Sequence, residues 1–199
     1  MKYIDVLNII SDKKVDLRHD VDISIESAFR MAKFEKDFGL SSVYYLRFDC
    51  DYYNILTTRN LNIVDYLITN HEVGCHVDCE QLETIDDLYE YLQNFNKIIP
   101  FKKFTFHINT EKTKSFGDVK YFENKSILYN EYISDSKNEF STEKINRLRS
   151  IDDFTLVIHP EWWDSKDLEF IHNGQEALSS SLRFDKLKKQ ALKEILKYE

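Results

Sequence analysis

Nowhere does this 199-residue sequence approach the roughly 20 consecutive apolar residues that a membrane-spanning helix needs, so no such helix is expected within it. The first residues, MKYIDVLNIISDKK, place an Asp inside their apolar stretch and lack a small-residue cleavage site. They do not read as an export signal, and the expected location is the cytoplasm. Positive charge is in deficit. With 27 Lys and Arg against 35 Asp and Glu, the formal charge is −8 and the pI near 5.3, so a broad nucleic-acid surface would stand against the field of the whole molecule. Cys50, Cys75 and Cys79 are odd in number, which argues for reduced thiols rather than a disulfide framework. Cys75 and Cys79 have the spacing of half a structural zinc site, but no second Cys/His pair at comparable spacing supplies the remaining ligands. Internal repeats and low-complexity tracts are also absent. What remains is an acidic protein for which neither a nucleic-acid duplex nor a single strand is the expected partner.

The length suits one substantial core, and residues 1–199 read as a single domain. The first half alternates between two periods. Val15 to Arg18 reads as a short strand, and Ile23 to Phe38 carries Ile25, Ala28, Phe29, Ala32 and Phe34 at helical spacing before Gly39. A strand over Ser42 to Phe48, a helix over Leu61 to Asn70, a strand over Val73 to Val77, a helix over Ile85 to Ile99 and a strand over Lys103 to His107 continue the pattern. Repeated strand-helix-strand units imply α/β architecture with a parallel sheet, closed or open. Asn109 to Phe140 reads as loops and small strands. A helix over Glu143 to Ser150, a strand over Phe154 to Ile158 and a helix from about Leu182 to Lys197 follow.

Chemistry concentrates at three strand ends. Leu17 to Asp22, LRHDVD, crowds a cation, an imidazole and two carboxylates onto the end of an apolar run. Taken alone, it also fits an Asp-rich turn that caps the following helix. Glu72 to His76 and Leu156 to Trp163 are two further β-rich runs that lead into a His. If the strands are parallel, their C-terminal ends meet on one face and bring Asp20, Asp22, His76 and His159 together. That set can hold a divalent metal and still leave an acid and a base.

With these residues placed, the sequence resembles the polysaccharide deacetylases of carbohydrate esterase family 4, the NodB-homology domain. It is closest to a cytoplasmic-type subgroup with the motifs R-H-D-V-D, E-I-G-L-H, S-F-H, Y-I-S-D-S and H-P-x-W-W. Here these stand at Arg18 to Asp22, Glu72 to His76, Thr105 to His107, Tyr132 to Ser136 and His159 to Trp163, spanning about three quarters of the chain. The resemblance implies a distorted, incomplete (β/α) barrel and metal-assisted removal of an N-acetyl or related acyl group from a sugar, with zinc the first candidate metal. It assigns Asp20 as general base and Asp22 as metal ligand. Val21 separates two residues that are adjacent in better-known members, so the two roles are exchangeable at this stage. His76 takes the first position of the family's H-x-x-x-H metal motif, and Glu80 stands where the second His is expected. Asp78, Asp49, Asp51 or His107 are the alternatives for that ligand.

By the same resemblance His159 is the acid that protonates the leaving amine, and His107 stands where the family offers an Arg, suited to orienting Asp20. Asp135 resembles the acid that supports that Arg. Trp162 and Trp163 point opposite ways on an extended segment, so one indole is placed to line a sugar or acyl pocket. The change from His to Glu at position 80 leaves a second reading open, a non-catalytic carbohydrate-binding or assembly homologue. A hydrolase of ureide-like amides is a third.

Overall fold

A computed structural model describes residues 2–78, 82–107, 113, 116–126, 131–136 and 140–163. Glu80, Cys79 and the helix expected over 182–197 lie outside the described residues. The strands are β1 (Lys14–Val21), β2 (Val43–Leu46), β3 (Glu72–Val77), β4 (Lys103–Phe106), β5 (Glu123–Asn124), β6 (Glu131–Ser134) and β7 (Asp153–Ile158). They form one sheet in the order β5-β4-β3-β2-β1-β7-β6, parallel at every pairing. The sheet curls into an incomplete barrel, as expected, with β5 and β6 as its outermost strands among the described residues. The helices are α1 (Tyr3–Ile10), α2 (Ile25–Asp37), α3 (Thr58–Asn70), α4 (Ile85–Asn96) and α5 (Thr142–Ser150), and a 3-10 turn at Pro160–Trp162 follows β7. Among the described residues no helix is long and apolar enough to cross a membrane.

Local chemistry explains the boundaries. Ser24 caps α2 by accepting from the Ser27 N–H, and the chain leaves the helix at Gly39, whose φ of +70° suits a residue without a side chain. Thr84 and Asp87 form a reciprocal capping box that starts α4. Helix α1 departs from the sequence reading, which left this segment without structure. Its Tyr3, Val6, Leu7 and Ile10 recur at helical spacing and are buried.

Strand β1 runs three residues beyond the expected Arg18, because β2 and β7 pair with it on both sides: Arg18 opposes Val43 and Val157, and Asp20 opposes Tyr45. The first motif is therefore part of the strand itself. Two-residue alternation sends Arg18 and Asp20 to one face of the sheet and Leu17, His19 and Val21 to the other. The second face is the helix-covered core, where Val21, Tyr44, Leu46, Cys75 and Phe104 pack with α2 to α4, and Leu17, Leu156 and Ile158 pack with α1 and α5. Cys50 and Cys75 are free thiols, and Cys75 faces this core, opposite to His76.

His19, on the core side, belongs to a buried polar cluster around Glu35. The Glu35 carboxylate accepts from the Tyr3 hydroxyl, from Ser42 Oγ at 2.6 Å and from Tyr44 Oη at 2.9 Å, with His19 Nε2 at 2.7 Å. Burial acts to raise its pKa, but His19, Ser42 and Tyr3 overcome that and hold it at about 2 against an ordinary 4.5. A depressed carboxylate pKa contributes stability above the ordinary value and loses it as pH falls through the folded value. A difference of this size corresponds to on the order of 3 kcal/mol. Glu35→Gln should therefore lower stability at neutral pH by about that amount and flatten the acid dependence between about pH 4.5 and 2. Urea unfolding across this range checks it, and a deficit that persists undiminished at the acid end would contradict it.

Candidate metal and acid-base site

The face opposite the core carries the polar side chains, and those at the C-terminal strand ends converge on Asp22. His76 lies in β3, His107 directly follows β4 and His159 directly follows β7. His76 Nε2 stands 3.3 Å from Asp22 Oδ1, while His107 Nε2 and His159 Nε2 stand 3.5 and 3.7 Å from Oδ2. Thr105 Oγ1 fixes the His76 ring by bonding Nδ1 at 2.7 Å, which leaves Nε2 directed at the carboxylates. Burial would raise the Asp22 pKa, but His107 and His76 outweigh it and hold the group far below the usual carboxylate range.

Asp20 is held differently. Arg18 donates to both of its oxygens, Nε to Oδ1 at 2.7 Å and Nη2 to Oδ2 at 2.6 Å. Arg18 also donates to the Lys125 carbonyl at 3.3 Å and lies 5.1 Å from the centre of the Tyr45 ring. Gly74 opposes Tyr45, and a Cβ at Gly74 would come within 2.4 Å of that ring, so the glycine makes room for the Tyr45 ring beside Arg18. Burial acts against the ionised form of Asp20, and Arg18 and His76 more than compensate, keeping its pKa low. The residue that orients Asp20 is thus Arg18, two positions away on the same strand face. His107, expected in that role, sits against Asp22 instead.

Asp135, directly after β6, accepts from the backbone N–H of His159 at 3.1 Å, from Trp163 Nε1 at 2.6 Å, and lies 2.5 Å from His159 Nδ1. It supports the imidazole rather than an arginine. Trp163 is fully buried, with the rings of Tyr3 and Phe140 each 5.5 Å away, so its indole anchors Asp135 within the core and forms no pocket wall. Trp162 is half-buried, and its Nε1 has no hydrogen-bond partner.

Burial disfavours the charged form of His159, but Asp135 reverses this and, with Asp20 and Glu161, lifts its pKa to about 10. A raised imidazole pKa gives stability that is complete below the ordinary value of 6.5 and is lost as pH rises through 10. In the same range His159 is a charged proton donor. Asp135→Asn removes the main raising influence and leaves the burial penalty, so the alkaline limb of any acid-dependent activity should move down from near 10. The pH profile of kcat/KM checks this, and an unmoved limb would assign it to another group.

Glu161 was not foreseen from the sequence, where it read only as the variable position of a motif. Both of its carboxylate oxygens are buried without a hydrogen-bond partner. Burial, reinforced by Asp22 and Asp135 and opposed by His159, pushes its pKa up to about 8.

The donor set suits a zinc-class ion. Two imidazoles and a carboxylate are ordinary zinc ligands, and donor atoms around a tetrahedral zinc lie about 3.3 Å apart, close to the spacings of His76 and His107 from Asp22. Asp22 Oδ1 is buried without a hydrogen-bond partner, which leaves its lone pairs able to meet a cation. Among the described residues no three His, Cys, Asp or Glu side chains stand close enough together to hold a metal ion as they are placed. Of the alternatives to Glu80, Asp78 pairs with Arg47 at 2.8 Å and Asp49 accepts from Tyr91 Oη at 2.9 Å, whereas His107 faces Asp22. A groove of about 670 Å³ opens at the other end of the strands, between Ile68, Val73, Phe101 and Tyr121, and contains none of these residues.

The sequence matches no family model and no curated protein. The fold is shared with solved structures. A CE4 family pseudoenzyme from Bacillus anthracis aligns with a TM-score of 0.57 at 18% identity, covering 86% of this chain and 62% of that one. The chain therefore spans less than two thirds of that protein. A family 4 carbohydrate esterase from Bacillus anthracis gives a TM-score of 0.53 at 15% identity, over 95% of this chain and 86% of the other. The peptidoglycan deacetylase PdaC from Bacillus subtilis gives 0.54 at 13% identity, over 93% and 96%. Likeness at these identities establishes the incomplete barrel and nothing of the chemistry it carries.

Proposed function

We propose that this protein is a divalent-metal-dependent amide hydrolase that removes an acetyl or related acyl group from an N-acylated sugar or glycan precursor. The observation that carries the reading is the placement of Asp22 between His76 and His107, with the Arg18–Asp20 and Asp135–His159 pairs on either side. Asp22, His76 and His107 would hold the metal, zinc being the best match to these donors. When bound, the ion supplies Lewis acidity to the acyl carbonyl and to a neighbouring water.

The remaining steps fall to the protein. Asp20 takes the proton of the attacking water: Arg18 keeps it ionised, and each of its oxygens retains a lone pair beyond the one that Arg18 occupies. This division favours Asp20 as base and Asp22 as ligand, since Asp22 has the unpaired oxygen and the two imidazoles. His159, charged and oriented by Asp135, delivers a proton to the leaving nitrogen, which departs poorly as an anion. Trp162, beside this acid, is the indole available to a sugar ring or acyl group.

The test is chelator-stripped protein reloaded with zinc, with bound metal measured by elemental mass spectrometry and acetate release followed from N-acetylated chito-oligosaccharides. Metal uptake with acetate release supports the reading. Neither would leave a non-catalytic homologue, a state that the pseudoenzyme of the same fold shows to be attainable.

A further inference from the structure

We propose that Glu161 is a further substrate-contacting residue, the carboxylate that receives the N–H groups of the reacting amide and of the amine it becomes. This rests on the deacylase reading above and concerns which acyl compounds that site accepts.

Glu161 belongs to the 3-10 turn at Pro160–Trp162, which packs on β1 and α2, and it lies two residues beyond His159. Its carboxylate is close enough to His159, Asp22 and Asp135 to interact electrostatically with all three. Both of its oxygens are buried without a partner, an expensive condition for a carboxyl unless a ligand completes it. A merely structural carboxyl in the same fold looks different: Glu35 is fully buried and has both oxygens engaged by hydroxyls or imidazole.

Charge narrows the class of ligand. Asp20 is paired with Arg18, Asp135 is paired with His159 and Asp22 would face the metal, which leaves the Glu161 carboxyl with no cation hydrogen-bonded to it. A carboxyl so placed favours a cation or an N–H donor over an anionic or purely accepting group. During amide cleavage the carbon–nitrogen bond breaks as the His159 proton passes to nitrogen. The electron pair of that bond stays on nitrogen, so the imidazole is left neutral and the product departs as an amine with two N–H groups beside Glu161. That amine takes up the proton of the newly formed acetic acid to become an ammonium. An ester offers no N–H at the equivalent atom, so Glu161 gives the site a preference for amides over esters.

The experiment compares the zinc-loaded wild type with Glu161→Gln, which keeps the shape, and Glu161→Ala, with thermal unfolding confirming that each is folded. For N-acetylated chito-oligosaccharide, kcat/KM should fall about 10- to 100-fold, the size of one lost charge-assisted hydrogen bond. The fall on 4-nitrophenyl acetate should be smaller by about tenfold or more. Glucosamine, titrated by NMR, should bind the wild type and lose affinity in both variants, while glucose should not discriminate among the three proteins. Equal losses on amide and ester, or undiminished glucosamine binding in the variants, would overturn the assignment. So would a parallel fall in zinc affinity, measured by competition with a chromophoric chelator, because Glu161 would then be a metal donor. If the wild type releases no acetate, the deacylase reading fails separately, and the glucosamine titration still decides whether Glu161 faces an amine.

Discussion

Replacing His107 by Ala should remove metal and deacylating activity together, and His76→Ala should do the same. Each substitution takes away one of the two imidazoles that face Asp22 at 3.3 to 3.5 Å. The loss of zinc affinity should exceed the roughly 10- to 100-fold that follows from removing an outer-shell partner, because a direct ligand is lost. Glu80→Gln is the informative companion, since the family resemblance puts Glu80 at the second ligand position and the site proposed above uses His107, which faces Asp22. Zinc affinity measured by chelator competition should collapse in His107→Ala and hold in Glu80→Gln. The reverse pattern would return the role to Glu80.

Asp20→Asn should lower kcat by about 10² to 10⁴ while leaving metal content near that of the wild type. The amide keeps the shape of the side chain but cannot accept a proton, and Asp22, His76 and His107 remain in place. Turnover and metal content measured on the same preparation separate the two aspartates. If Asp20→Asn loses metal and Asp22→Asn keeps it, their roles are reversed. Gly74→Ala approaches the same base indirectly. Its methyl group would displace the Tyr45 ring beside Arg18, so kcat should fall with metal retained, more mildly than in Asp20→Asn.

Sequence periodicity alone determined much of this protein. The spacing of Ile25, Ala28 and Ala32 identified α2, and the β-rich runs ending at His76 and His159 identified strands whose C-terminal ends would meet if they were parallel. Even the Arg18–Asp20 pair was accessible in principle, because residues i and i+2 share a strand face. It was hidden only because the strand appeared to stop at Arg18, while β2 and β7 extend it to Val21 by pairing on both sides. In α1 the apolar spacing of Tyr3, Val6, Leu7 and Ile10 was likewise present but short.

Other features had no local signal. That His107 meets Asp22, that Asp135 binds both His159 and Trp163, and that Glu161 lies buried near Asp22 follow from the order β5-β4-β3-β2-β1-β7-β6 and from the curl of the sheet. Period and turn chemistry are set by backbone geometry within a few residues, so the sequence displays them directly. Which strand ends become neighbours depends on how helices and sheet bury their apolar faces over the whole chain, and that long-range packing alone decided which carboxylate received which histidine.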